Sequence, residues 1–362
     1  MYLFYIYANT RADNFGSYKN QKMFMRYLTG YCLLVSMMLM TACSDSSDDT
    51  SDEGNWIQKV DFKGVARYEA VSFTINDTAF VGSGYDGEDR LKDFYSYDAE
   101  RNTWTQRASL PDDAPARSHA VAFSINGKGY MGTGYDGVNK LNDFYEYDPA
   151  ANAWAPKTAF PGTKRYGAVG FSVKNYGYIA TGYDGNWLND TWQYNPATDT
   201  WSSKADVPNT KRTDAVAFVI AGKAYIATGT SNLQLTKELS MYDADADQWT
   251  LKREIINSSD DDYDDDYSSI QGTNCAVFVM NNKAYVCTGS KSSSGTSSTT
   301  VWEYDAVNDL WDEKQAFEGT ARTSAVGFAI KNRGFITTGA SGSTPLSDTW
   351  EFDPLAEYDK ND

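Results

Sequence analysis

Three Tyr-Asp-Gly motifs carry the side chains that are best suited to ligand binding. They recur about fifty residues apart, at Tyr85-Asp86-Gly87, Tyr135-Asp136-Gly137 and Tyr183-Asp184-Gly185. Tyrosine offers a flat amphipathic face and aspartate accepts hydrogen bonds, a combination that suits a sugar or a peptide. The same motif also suits a tight turn in which Asp-Gly supplies the geometry and the tyrosine packs on its neighbour. The sequence leaves both interpretations open.

A second pattern places an arginine before one apolar segment and an acid before a later one. The arginines are Arg67, Arg117, Arg165, Arg212 and Arg322, and the acids are Asp93, Asp143, Asp190, Glu238 and Asp348. A further copy of the pattern has Gly272 and Thr300 at these positions, and this joint loss predicts that each arginine pairs with its acid. Pairing would pin the base of a loop, whereas exposed guanidinium groups would bind an anionic ligand. The candidates for that second role are Arg117, Arg165, Arg212 and Arg322.

Catalysis has one candidate set, formed by Glu69, His119 and Arg165. Together these residues could supply a base, an acid and an anion-binding group, although no specific motif supports the combination. His119 is the only histidine of the chain and fits either a general base or a hydrogen-bonded surface residue. Tyr68 and Tyr166 stand beside apolar segments and join the candidates for ligand contact. A single histidine argues against a His-ligated metal centre, and no cofactor is predicted.

An acidic stretch is the one candidate for a metal site. Its carboxylates at Asp260, Asp262, Asp264 and Asp266 could offer oxygen ligands to Ca²⁺. The stretch lacks the glycine and the bidentate glutamate of an EF-hand-like loop. A solvated acidic loop is therefore favoured over a calcium site.

All these residues belong to a repeat that occurs six times. The leading alanine of each copy, which is Cys275 in the fifth, is followed after 14 positions by a glycine, at Gly84, Gly134, Gly182, Gly229, Gly289 and Gly339. Alternating small and large residues, a two-residue turn such as Asn126-Gly127 and a Tyr–Trp pair predict four antiparallel strands per copy. In the fifth copy this register turns the sulfurs of Cys275 and Cys287 to opposite faces of the sheet, which disfavours a disulfide between them.

The sixth copy lacks a fourth strand at its C-terminal end. The matching pattern of Trp, Lys, Phe and Gly occurs instead in residues 55–64, around Trp56. The sequence therefore predicts an all-β fold, a six-bladed β-propeller over 55–353 that is closed by an N-terminal strand completing the last blade. Residues 354–362 are predicted to form a tail. The repeat resembles the kelch family, with Thr-Gly or Ser-Gly where that family usually has a double glycine.

The N-terminal residues predict export and a lipid anchor. Residues 1–42 are similar to a signal peptide, with a start at Met23 or Met25 and an apolar run before Cys43. Leu39-Met40-Thr41-Ala42-Cys43 resembles a bacterial lipobox, which implies lipidation of Cys43 and anchorage to the outer membrane. The acidic segment 43–54 predicts a disordered tether and resembles the export signal of Bacteroidota surface lipoproteins. That resemblance implies the cell surface, and the alternative is the periplasmic face.

The sequence favours a surface binding module over an enzyme, with a loop-rich face that contacts a glycan, a peptide or a protein. The kelch resemblance also includes enzymes. Galactose oxidase-like copper enzymes need two histidines and are excluded, and sialic acid mutarotases would require the set Glu69, His119 and Arg165. A third hypothesis is a structural subunit of an outer-membrane assembly. The net charge of −17 argues against nucleic acid as a partner.

Overall fold

The computed structural model of the chain describes residues 53–292 and 295–359. The predicted signal peptide of residues 1–42, the lipidation of Cys43 and nearly all of the predicted tether lie outside these residues. In the described part of the chain, no helix is long and apolar enough to span a membrane.

Six antiparallel four-stranded sheets, the blades, account for most of the residues described. The first blade comprises β2 (Val71–Ile75), β3 (Thr78–Gly82), β4 (Phe94–Asp98) and β5 (Thr103–Arg107). The second comprises β6 (Val121–Ile125), β7 (Lys128–Gly132), β8 (Phe144–Asp148) and β9 (Ala153–Lys157). The third comprises β10 (Val169–Val173), β11 (Tyr176–Ala180), β12 (Thr191–Asn195) and β13 (Thr200–Lys204). The fourth comprises β14 (Val216–Ile220), β15 (Lys223–Ala227), β18 (Ser240–Asp243) and β19 (Gln248–Leu251). The fifth comprises β20 (Ala276–Met280), β21 (Lys283–Cys287), β22 (Val301–Asp305) and β23 (Leu310–Lys314). The sixth comprises β24 (Val326–Ile330), β25 (Arg333–Thr337), β28 (Thr349–Glu357) and β1 (Glu53–Lys59).

Short elements occur in three of the connections. Two-stranded ribbons follow the second strands of the fourth and sixth blades, formed by β16 (Thr230–Ser231) with β17 (Gln234–Leu235), and by β26 (Ala340–Ser341) with β27 (Thr344–Pro345). The acidic stretch between the fourth and fifth blades contains two 3₁₀ helices, Asp262–Asp264 and Tyr267–Ser269.

The predicted closure of the ring is confirmed. β1 pairs antiparallel with β28, with Trp56 opposite Phe352. The Trp56 side chain is fully buried and packs on the rings of Phe352 and Phe317, with centroid separations of 4.7 and 4.9 Å. The pairing extends beyond the predicted bounds of 55 and 353, because a bulge at Gly54 (φ 107°) lets Glu53 pair with Glu357.

Aromatic residues from adjacent blades form the core between them. Phe73 in the first blade stacks on Phe80, and its ring lies 6.3 Å from those of Tyr147 and Trp154 in the second blade. The Tyr147 hydroxyl donates to Asn152 Oδ1 at 2.7 Å, so the buried ring keeps its polar atom satisfied. The repeated Tyr–Trp pair thus supplies both the apolar contact and the turn anchor.

The hairpin register of the fifth blade is as predicted. Ala276 lies opposite Cys287, and the thiols of Cys275 and Cys287 are both free. Burial raises the pKa of each thiol, which keeps both cysteines protonated at neutral pH.

Candidate functional site

A closed ring of six residues surrounds the mouth of the central channel. Each stands one position before the leading residue of its repeat, at Glu69, His119, Gly167, Asp214, Asn274 and Ser324. Each backbone N–H donates to the carbonyl oxygen of the preceding member at 2.8–3.1 Å, and the Glu69 N–H donates to Ser324 to close the ring. All six residues have φ between 51° and 62°. Such left-handed backbone persists where the surrounding structure fixes it, and it clusters at ligand sites.

The ring side chains line a cavity of about 140 Å³, in which His119 lies between two carboxylates. Its Nδ1–H donates to Glu69 Oε2 at 2.7 Å, and its Nε2 lies 3.7 Å from Asp214 Oδ1. Burial alone would lower the pKa of His119, but Glu69 and Asp214 outweigh burial and raise it to about 9. The imidazole is therefore a cation at neutral pH and a hydrogen-bond donor, which does not suit the role of general base there.

Gly167 lets His119 and Asp214 approach each other. A Cβ atom at Gly167 would lie 2.2 Å from Thr213 Oγ1 and 2.4 Å from Asp214 Oδ1. Burial raises the pKa of Asp214, and its Oδ1 has no hydrogen-bond partner among the residues described. Asp214 thus places an unsatisfied acceptor in the wall of the cavity.

Beside this ring, five tyrosines from the first three blades form a surface that we call the tyrosine platform, made of Tyr68, Tyr85, Tyr135, Tyr166 and Tyr183. Its ring centroids lie 5.4 Å apart for Tyr68 and Tyr85, and 5.7 Å apart both for Tyr135 and Tyr166 and for Tyr166 and Tyr183. Tyr166 also lies 5.6 Å from the His119 ring, so the platform adjoins the channel mouth. All five tyrosines are half-buried, which leaves part of each available to a ligand.

Arg90 connects the two halves of the platform. Its guanidinium carbon lies 4.8 Å from the Tyr85 ring centroid and 4.7 Å from that of Tyr135. Arg90 Nε is buried and has no hydrogen-bond partner within the described part of the chain. The two stacked rings therefore hold the guanidinium group in place at the platform.

The aspartates of the three motifs hold their own loops, as the tight-turn interpretation predicts. Asp86 Oδ1 accepts backbone N–H groups of Glu88 and Asp89 at 2.8 and 2.6 Å. Asp136 Oδ1 accepts from Val138 at 2.7 Å, and Asp184 Oδ1 accepts from Asn186 at 2.9 Å. Through these Oδ1 atoms the aspartates hold the loops that carry the neighbouring tyrosines.

The pairing predicted for the arginines is confirmed in all five blades. Arg322 shows the arrangement: its Nη1 and Nη2 lie 2.7 and 2.6 Å from the two carboxylate oxygens of Asp348, and its Nε donates to Thr320 O at 2.9 Å. The arginines are at most 1% exposed. The structure therefore leaves four of the predicted ligand contacts, Arg117, Arg165, Arg212 and Arg322, without access to a ligand.

The predicted catalytic set is only partly assembled. Glu69 and His119 are in contact, but the Arg165 guanidinium is bound to Asp190 at 2.5 and 2.8 Å and is buried. Arg165 therefore does not join the Glu69–His119 pair. Arg90, on the tyrosine platform beside the channel mouth, is a cation that could take the anion-binding role predicted for Arg165.

The acidic stretch uses its carboxylates locally. Asp264 accepts backbone N–H groups from Ser258 at 2.9 Å and Ser259 at 3.0 Å, and these bonds lower its pKa. In the residues described, no group of three or more His, Cys, Asp or Glu side chains could hold a metal ion. The stretch covers the outer part of the fifth blade and lies outside the channel-mouth site.

Comparison with known proteins agrees with this architecture. The profile of the KLHDC2/KLHL20/DRC7 Kelch-repeats domain matches residues 50–207. Among solved structures, the chain is similar to "Structure of YjhT", with a TM-score of 0.65 over 80% of this chain and 95% of that chain. The fold is a six-bladed kelch-type β-propeller. The identity to that structure is 16%, so the likeness concerns the fold alone. No curated protein matches the chain.

Proposed function

We propose that this protein is a cell-surface lipoprotein that binds a glycan at the mouth of its central channel. The observation that carries the proposal is the tyrosine platform, which adjoins the Glu69–His119–Asp214 cluster at the channel mouth. The apolar face of a sugar ring stacks on tyrosine, and its hydroxyl groups need both acceptors and donors. Asp214 supplies an acceptor, while the His119 imidazolium and Arg90 supply donors.

The site is preorganised, which favours binding because little side-chain freedom is lost. The hydroxyls of Tyr85 and Tyr135 donate to Gly87 O and Gly137 O at 2.9 and 2.8 Å, so both rings are held at two ends. The lipid anchor predicted at Cys43 and the acidic tether would keep the protein at the cell surface. Together these features support a role in capturing sugars from the surroundings.

A glycan array followed by calorimetry tests the proposal. A glycan found on the array should bind three- to tenfold more weakly after Tyr135→Ala or Tyr183→Ala, because each ring contributes about 1 kcal/mol of stacking. Tyr358→Ala is the matched control, since Tyr358 is exposed on the outer side of the sixth blade. If neither platform variant weakens any bound glycan relative to this control, the proposal is wrong.

A second candidate function is acid–base catalysis on a sugar, which the Glu69–His119 contact favours. Glu69 Oε2 and His119 Nδ1 are 2.7 Å apart within a cavity of about 140 Å³, and a His119 cation could protonate a ring oxygen. NMR of anomer interconversion in the presence of the purified protein checks this candidate. A rate equal to the uncatalysed rate, or one that Glu69→Gln leaves unchanged, would exclude it.

A further inference from the structure

A second cavity lies on the outer side of the fifth blade, where the acidic insertion packs against β22 and β23. Its volume is about 320 Å³, within the range of small ligand pockets. The groups that matter for its chemistry are four aromatic rings and four carboxylates, from Tyr263, Tyr267, Trp302, Trp311, Asp265, Asp266, Asp312 and Glu313. Aromatic rings beside carboxylates are a combination that suits a cationic ligand.

The insertion that forms one wall is firmly anchored. Ile255 and Ile270 are fully buried in the core between the fourth and fifth blades, and Tyr267 is 2% exposed. The Tyr267 hydroxyl accepts the backbone N–H of Trp311 at 2.7 Å, which fixes the insertion to β23. The cavity is therefore formed before any ligand arrives.

The aromatic side chains present ring surfaces at right angles to one another. Tyr267 lies 6.0 Å from Tyr263 and 6.0 Å from Trp302, both in edge-to-face geometry. Arg253 lies over the Tyr263 ring at 4.2 Å and does not line the cavity. This chain thus already uses one of these rings to bind a guanidinium group, which shows the chemistry that the cluster favours.

Four carboxylates line the cavity, whereas none of its lining residues is a lysine or an arginine. Burial and the nearby Asp266 raise the pKa of Glu313, although Lys291 opposes them. One of the lining carboxylates, Asp312 on β23, is already paired with Lys314 at 2.7 Å. The exposed carboxylates of Asp266 and Glu313 therefore favour the arrival of a positive charge.

Trp311 adds an unused hydrogen-bond donor. The corresponding indole N–H groups of Trp56, Trp154, Trp201 and Trp249 donate to backbone carbonyl oxygens at 2.9–3.3 Å. Trp311 is 6% exposed, lines the cavity, and has no acceptor for Nε1 among the described residues, a lack that it shares with Trp104. A peptide carbonyl is an acceptor that could satisfy this donor.

We propose that this cavity binds a lysine or arginine side chain from a basic peptide segment of a partner protein. The cationic group would lie among the aromatic rings and be neutralised by Asp266 and Glu313. The Trp311 indole N–H would donate to a carbonyl of the same peptide. The site is independent of glycan binding at the channel mouth, so either proposal can fail alone.

A labelled peptide with a matched uncharged counterpart tests the site. The purified full chain is titrated with fluorescein-labelled Gly-Gly-Arg-Gly-Gly and with Gly-Gly-Gln-Gly-Gly, with fluorescence anisotropy as the readout. We expect the arginine peptide to bind at least tenfold more tightly. Glu313→Gln and Asp266→Asn should each weaken its binding about tenfold. Glu357→Gln, which removes one charge from an exposed position on β28, should leave binding unchanged.

A second readout follows the indole donor directly. In ¹⁵N-labelled protein, the Trp311 Nε1–H resonance should shift downfield on addition of the arginine peptide, because the N–H gains an acceptor. Equal affinity for the two peptides, or equal effects of Glu313→Gln and Glu357→Gln, would overturn the proposal. So would displacement of the peptide by micromolar Ca²⁺ with no aromatic signal change, which would indicate a metal site in its place.

Discussion

His119 illustrates how a single residue acquires its chemistry from the fold. The imidazole lies between Glu69 and Asp214 because a backbone ring with left-handed φ values brings residues of the first, second and fourth blades to one point, with Gly167 as the member from the third blade. In a solvated position the same residue would titrate near pH 6.5. Its role at the channel mouth therefore depends on charge that the two carboxylates maintain.

The first prediction concerns the titration of His119. We expect the NMR signals of its imidazole to titrate with a pKa of about 9 in protein that carries no histidine tag. Because the chain contains one histidine, the imidazole signals can be assigned to His119 without ambiguity. Glu69→Gln should lower this pKa by more than one unit, because it removes the nearest negative charge. A wild-type pKa at or below 6.5 would contradict the placement of His119 between the carboxylates of Glu69 and Asp214.

The same shift predicts how stability depends on pH. The folded pKa of about 9 lies above the unfolded value of 6.5, so the contribution of His119 is complete below pH 6.5 and is lost as pH rises to 9. The contribution is at most about 3 kcal/mol. Urea unfolding at pH 6 and at pH 9.5 should show a smaller loss of stability in His119→Gln than in the wild type.

At the scale of one element, the buried arginine–acid pair fixes the base of each long loop. In five blades the guanidinium group bridges the second strand, the loop before the first strand and the acid that opens the third. The fifth blade has Gly272 instead, and Lys291 Nζ lies 3.4 Å from the position of a Cβ atom there. That blade is held by the acidic insertion, with Tyr267 and Ile270 buried in the core.

The second prediction tests one of these pairs. Asp348→Asn leaves the fully buried Arg322 without its counter-ion, and we expect a loss of about 3 kcal/mol in the free energy of unfolding. Asp112→Asn is the control, because Asp112 is exposed and lies 3.8 Å from Lys92. Urea denaturation measures both. A loss in Asp348→Asn no greater than that in the control would show that the pair contributes nothing to stability.

The elements were predictable from the sequence because each depends on a pattern within one repeat. The alternation of Val121–Ile125, the turn at Asn126-Gly127 and the joint loss of Arg and acid in the fifth copy all predicted what the structure shows. Asp214 was missed, although alignment of the residues before each leading alanine places it in line with Glu69 and His119. The role of Arg90 could not be predicted from the repeat pattern, because its contact with Tyr135 joins loops of two different blades.

The cavity under the insertion could not be predicted for a related reason. The insertion occurs once, so no other copy indicates how Tyr267 and Trp311 meet. Its composition indicated a solvated acidic loop, and Asp260 and Asp262 are indeed exposed. The buried residues Ile255, Tyr267 and Ile270 decide its position, and their partners lie in other strands. Long-range packing of this kind has no period along the chain.

At the scale of the whole molecule, two cyclic sets of hydrogen bonds join all six blades. One is the ring at the channel mouth. In the other, the glycine after each second strand donates its N–H to the residue three positions before the next repeat, from Gly84 to Arg117 O and finally from Gly339 to Arg67 O. Because both sets are closed, the geometry of the channel mouth depends on the joining of the first and last strands.

The third prediction is that removal of β1 opens the ring and abolishes the channel-mouth site. A chain that begins at Phe62 loses Trp56 from the core of the sixth blade and leaves β28 as an unpaired edge. Loss of a buried tryptophan alone costs about 3–5 kcal/mol, and a free edge promotes association of chains. We expect a lower urea midpoint, larger species in light scattering and loss of the raised pKa of His119.

A peptide of residues 51–61 added in trans should restore all three properties, whereas the same peptide with Ala in place of Trp56 should not. A truncated chain that remains monomeric and keeps the His119 pKa would show that the mouth forms without closure of the ring.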